Sequence, residues 1–140
     1  MDFNDTPDLA SFRQDVKTWL DANAERRTDK LHMGMEGEQA FQEAKAWYKK
    51  KADAGYACLT WPKDYGGAGL TPLHEVVWTQ EVEHFKTRDA HFVIGIGNCG
   101  PAILHFAEEE QKRELLPRMA SAEDVWCQLF SEPSAGSDVA

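Results

Sequence analysis

Only one stretch of this chain, Val125 to Phe130, has the makeup of a buried β-strand. It is short, apolar and aromatic, and breakers come directly after it at Glu132-Pro133 and Ala135-Gly136-Ser137. A lone strand leaves its backbone donors and acceptors unpaired. Nothing upstream supplies a convincing second strand. The pattern predicts an all-α body of five or six helices that leads into one β-strand. It divides the chain into a helical domain, residues 1–124, and the start of an incomplete β-domain, residues 125–140. The strand would be completed by residues beyond Ala140 or by another polypeptide.

The helices are legible from spacing and punctuation. Leu9, Phe12, Val16, Trp19 and Leu20 form one apolar stripe, with Thr6 or Asp8 as cap and Pro7 in the first turn. The stripe ends near Ala24, and a polar loop runs from Glu25 to Gly37. A second helix spans about Glu38 to Ala54, with Phe41, Ala44, Trp47 and Tyr48 inward, and Gly55 supplies a left-handed end. Pro62 pushes Trp61 towards extended backbone, and Gly66, Gly67 and Gly69 require a loop. Thr71-Pro72 opens a third helix to about Lys86, with Val76, Val77 and Gln80 or Glu81 inward and Phe85 near its end. His91 to Phe106 is nearly uncharged and reads as two short buried helices separated around Asn98-Cys99-Gly100. Glu108-Glu109-Glu110 starts a last helix, acids first and Lys112 and Arg113 later, as the helix dipole prefers. Pro117 is expected to bend or restart it.

Charge and cysteine content exclude several functions. The formal net charge of −9 argues against a nucleic-acid or anionic-membrane surface, although an anionic cofactor can still be held locally by backbone amides. Cys58, Cys99 and Cys127 form no Cys-x-x-Cys pair, so neither a disulfide framework nor a zinc site is indicated. The five histidines lack metal-ligand spacing. No segment approaches the ~20 apolar residues of a membrane span, and the acidic start is unlike a secretory signal. A cytoplasmic location is the resulting expectation.

Several motifs have a plain structural reading. Gly95-Ile96-Gly97-Asn98-Cys99-Gly100 matches a dinucleotide fingerprint as a string, but the strand–turn–helix context it needs is missing. Small residues that let helix backbones approach closely account for it better. No Gly-x-Ser-x-Gly turn supports a hydrolytic triad, and Glu108-Glu109-Glu110 is a solvated helix start. Five tryptophans read chiefly as core, with Trp126 also placed where an aromatic side chain could line a planar ligand. The segment Phe130 to Asp138 concentrates Ser131, Gly136 and Ser137 behind a rigid Glu-Pro turn. It can offer amides and hydroxyls to an anion or a heteroaromatic edge, and a purely structural turn explains the same residues.

That segment, Glu132-Pro133-Ser134-Ala135-Gly136-Ser137-Asp138, resembles the Glu-Pro-x-Ala-Gly-Ser-Asp turn of the acyl-CoA dehydrogenases. Trp61 to Leu70 is similar to the Pro-x-x-Tyr-Gly-Gly-x-Gly loop of the same family, and Gln111 to Pro117 to its Gln-Lys-x-x-x-Leu-Pro helix. Three motifs stand in the family's order, and the resemblance runs along most of the chain. The resemblance implies FAD as cofactor, an acyl-CoA thioester oxidised at Cα–Cβ, and an electron-transfer flavoprotein as acceptor. It implies that Gln128, Leu129, Phe130 and Ser131 border the flavin, the Ser131 hydroxyl near N5. Gly136 and Ser137 would lie at the flavin and the thioester arm, with Ser137 touching substrate. Ser134 departs from the usual glycine and Ser131 from the common threonine, both small changes. The family's catalytic base lies on a C-terminal helix, so no catalytic residue is assigned here, and the 140-residue chain by itself is expected to be inactive. A homo- or hetero-oligomer is implied. The rival expectation is a non-catalytic helical module, or split subunit, that docks on a dehydrogenase-like partner through its open strand edge.

Overall fold

The computed structural model describes residues 4–27, 37–129, 131–133 and 136. Five α-helices occur among them: α1 Pro7–Asn23, α2 Glu38–Asp53, α3 Pro72–Val82, α4 Gly100–Phe106 and α5 Glu109–Ala120. Thr6 caps α1, its hydroxyl accepting from the Leu9 amide at 3.4 Å, and Leu9, Val16 and Leu20 form the buried stripe. In α2 the buried face is Ala40, Ala44, Tyr48 and Lys51, with Phe41 and Trp47 half-buried beside it. Gly55 closes this helix at φ +80°.

α3 ends at Val82, four residues before the predicted limit, because long-range pairing captures the residues after it. Phe85 and Arg26 form an isolated antiparallel bridge. The Lys86 amide donates to Glu25 O at 2.8 Å, and the Arg27 amide to His84 O at 2.9 Å. The inward face of α3 also shifts from the sequence reading. His74, Val77, Trp78 and Glu81 are buried at helical spacing, whereas Val76 is exposed.

The stretch expected to hold two separate buried helices is one continuous helical run. A 3₁₀ turn at Ala90–Phe92 leads through a π-helical turn, Gly95–Cys99, straight into α4. No glycine in this run has a positive φ, so Asn98-Cys99-Gly100 does not break the helix. Nor is the run heavily buried, since Val93, Ile94 and Phe106 are exposed. α5 opens with Glu108 and Gln111 in a reciprocal capping box, and Pro117 lies inside it without ending it.

Val125 to Leu129 pairs with no strand among the described residues, so the predicted strand is absent as a ladder over that range. Its apolar character goes into packing instead, since Val125 and Trp126 lie against the helical core. Phe130, Ser134 and Ser137 fall outside the described residues. Among the described residues the core forms two clusters joined by α2. Tyr48, Trp61, Phe92, Leu116 and Met119 anchor one, and Val16, Leu20, Leu59, Trp78 and Phe85 the other.

Candidate functional site

Trp61 organises the region between the two clusters. Its backbone carbonyl accepts from the Gly69 amide at 2.9 Å, and its own amide donates to Cys58 O at 3.0 Å, so the loop folds back around it. A Cβ on Gly67 would collide with the Trp61 carbonyl, and one on Gly100 with the Trp61 ring. The sequence reading of Gly95-x-Gly-x-x-Gly100 as a close-packing device is therefore correct for its two ends. Gly95 backs onto Trp126, where a Cβ would lie 3.2 Å from the Trp126 Cβ.

Beside Trp61 lies a cleft of about 400 Å³. Trp61, Trp78, Tyr48 and Phe92 give it aromatic walls, and Ile96 and Pro101 line the helical side. Its polar content comes from Lys51, Asp89, Glu75 and Thr60. Lys51 is 7% exposed; its ammonium donates to Asp89 Oδ1 at 2.8 Å and stands 4.3 Å from the centre of the Tyr48 ring. Tyr48 stacks on Phe92 with centroids 4.1 Å apart, and its hydroxyl lies 3.7 Å from Cys58 Sγ. Burial, followed by the neighbouring Cys58, raises the Tyr48 hydroxyl well above its ordinary value, and burial pushes the Cys58 thiol up to about 11. Neither group supplies a thiolate or phenolate near neutral pH. The cleft thus pairs aromatic walls with one buried lysine and offers no activated nucleophile from Tyr48 or Cys58.

Sequence reasoning missed Lys51. The available signal was its position: Ala44, Tyr48 and Lys51 succeed one another on the apolar stripe of α2, where a lysine needs a partner. That partner, Asp89, is 38 residues away and could not be read locally.

The predicted flavin-edge residues lie at the other end of the chain. Gln128 is half-buried, and its amide oxygen accepts from Asn98 Nδ2 at 3.5 Å. Leu129 is 87% exposed, Ser131 and Gly136 are exposed, and a Cβ at Gly136 would meet nothing within 4 Å. Phe130 and Ser137 lie outside the described residues. The Gln128 amide and Ser131 hydroxyl are donor types that suit one edge of a flavin ring; the described residues alone do not enclose one. No group of His, Cys, Asp and Glu side chains that could hold a metal occurs among the described residues, and the cysteines are free.

The family model described as the acyl-CoA dehydrogenase N-terminal domain matches residues 6–123. The chain belongs to the acyl-CoA dehydrogenase family. Its similarity to acyl-CoA dehydrogenase IpdE1 of Mycobacterium tuberculosis is 37% identity over 136 residues, covering 95% of this chain and 35% of that protein. IpdE1 of Mycolicibacterium smegmatis is 35% identical with the same coverage. Among solved structures, the ChsE4–ChsE5 complex from Mycobacterium tuberculosis superposes with a TM-score of 0.69 at 25% identity. That superposition covers 99% of this chain and 34% of the matched one. The chain spans about a third of the length of these relatives. No helix among the described residues is long and apolar enough to cross a membrane.

Proposed function

We propose that this chain forms the N-terminal helical part of an FAD-dependent acyl-CoA dehydrogenase, which oxidises the Cα–Cβ bond of an acyl-CoA thioester. The observation that carries this reading is the family match over residues 6–123, a range that takes in the Gly-rich loop and the Gln-Lys helix. Residues 125–140 then begin the β-domain. When bound, FAD supplies the hydride acceptor. Gln128, Leu129, Phe130 and Ser131 border it, Gly136 and Ser137 lie at the flavin and thioester arm, and Ser137 touches substrate. The cleft beside Trp61 walls the acyl group and keeps water from it. Electrons leave to an electron-transfer flavoprotein, and the working enzyme is an oligomer.

The test is to purify the native protein with any subunit that accompanies it and record its visible spectrum during acyl-CoA titration. A flavin spectrum bleached by acyl-CoA is the expected result. A colourless protein that turns over no acyl-CoA with an artificial acceptor would sink the reading. The 140 residues expressed alone are expected to bind FAD weakly or not at all.

A second reading, a helical module that docks on a dehydrogenase-like partner, draws on the exposed apolar side chains Val93, Ile94, Phe106 and Leu129. Its mark would be stoichiometric co-purification of a flavin-bearing chain, with this chain supplying no residue whose substitution alters the flavin spectrum.

A further inference from the structure

The π-helical turn Gly95–Cys99 is an uncommon piece of backbone. It closes through the Gly100 amide, which donates to Gly95 O five residues back. Such turns are rare and recur at functional sites. Two of its side chains, Ile96 and Cys99, pack against the core. The rest of the turn holds another segment. A Cβ on Gly95 would crowd Trp126 at 3.2 Å, and Asn98 Nδ2 donates to Gln128 Oε1 at 3.5 Å. Burial alternates along that segment in the same sense: Trp126 and Gln128 are half-buried, Cys127 and Leu129 exposed. Contact at residue 126 and again at residue 128 fixes which way the segment faces.

The direction of the Asn98–Gln128 bond decides what Gln128 offers to a ligand. A primary amide accepts at its oxygen and carries two donors on its nitrogen. Asn98 takes the oxygen, and the two N–H groups of Gln128 have no partner among the described residues. The ring edge of an oxidised flavin carries mainly acceptors, so a donor suits it and an acceptor does not. A purely structural role accounts poorly for the contact, because Asn98 is exposed and a bond of this length between two solvated amides adds little stability.

We infer that Asn98 is a positioning residue, which holds the Gln128 amide with its oxygen towards the helical run and so presents the nitrogen to the flavin as a donor. This deepens the dehydrogenase reading and rests on it, since FAD is what makes the direction of the amide matter.

The test uses the native protein with any subunit that accompanies it, stripped of flavin and titrated with FAD. It reads the FAD dissociation constant and the midpoint potential of the bound flavin. Asn98→Ala frees the amide to rotate. It should weaken FAD binding about fivefold, as for one neutral hydrogen bond, and lower the potential, because a donor at the ring favours the electron-rich reduced form. Asn98→Gln, which keeps the donor, should retain most of the parent's values. Asn98→Asp should lose more than Asn98→Ala, because a carboxylate only accepts, draws the Gln128 nitrogen to itself and turns the oxygen on the flavin. The charge of that aspartate is separated out in a Gln128→Leu background, where Asn98→Ala should change nothing and Asn98→Asp should show the effect of charge alone. Urea midpoints equal to the parent's are expected for the Asn98 variants and show that they fold. FAD affinity and potential unchanged in Asn98→Ala, or a loss that persists without Gln128, overturns the inference. Flavin binding indifferent to Gln128→Leu leaves the dehydrogenase reading standing and overturns this one alone. A native protein that neither carries nor takes up FAD overturns both.

Discussion

The two glycine-rich segments of this molecule use the same residue for opposite reasons. In the loop after Trp61, Gly66 and Gly69 adopt φ +86° and +65°, backbone that side chains with a Cβ resist. In the helical run that leads into α4, Gly95 and Gly100 have no positive φ and are needed for space alone. The segments converge on one residue, since Gly67 closes on the Trp61 carbonyl and Gly100 on its ring. A Gly-x-Gly-x-x-Gly string can therefore be a helix-packing device, and the sign of φ, not the spacing, separates it from a phosphate loop.

Removing the shared anchor should have the largest effect. Trp61→Ala is expected to cost about 3–5 kcal/mol, read as a lower urea midpoint, because it opens a cavity in the core and against Gly100. A midpoint within error of the parent would mean that the helical run does not depend on the Trp61 ring. Next, Gly100→Ala should cost about 1–3 kcal/mol through overpacking against the buried ring, and pairing it with Trp61→Leu should recover part of the loss. Additive effects would break the claim of direct contact.

A pH dependence sharpens the contrast between the loop and the helical run. Folding holds the Cys58 proton more tightly than the unfolded chain does. The resulting stability is complete below pH 9.0 and is lost as pH rises towards about 11. On the order of 3 kcal/mol is at stake, and Cys58→Ala should flatten the fall in stability across that window. Cys99, half-buried in the helical run, should be alkylated before Cys58, and the reverse order would count against the burial argument. The smallest effect has the opposite sign. A Cβ on Gly97 meets nothing within 4 Å, so Gly97→Ala should stabilise by about 0.5–1 kcal/mol. Destabilisation there would show that the middle glycine too is held by contacts.

Local chemistry made much of the fold legible. Thr6-Pro7 and Thr71-Pro72 mark helix starts, and Gly55 an end, because caps and left-handed turns are decided within a few residues. The features hidden from the sequence are non-local. The Arg26–Phe85 bridge shortens α3, and Val76 points outward because the α1 contact falls on the face of His74 and Glu81. Val125 to Leu129 has strand composition without a strand partner among the described residues. The three motifs made the family legible, yet the cleft could not be foreseen, because Lys51, Trp61 and Asp89 meet only in the folded chain.

The pairing of Arg26 with Phe85 also bears on how fast this chain can fold. It is flanked by Lys86 holding Glu25 across 61 residues and Arg13 holding Glu81 across 68. Closing a loop of that length costs roughly 4 kcal/mol of chain entropy beyond the fixed term, and none of it is returned until α2 and the Trp61 loop are in place between the ends. α1 is thus expected to dock late. Substitutions at Val16 or Leu20 should then speed unfolding while leaving the refolding rate nearly unchanged.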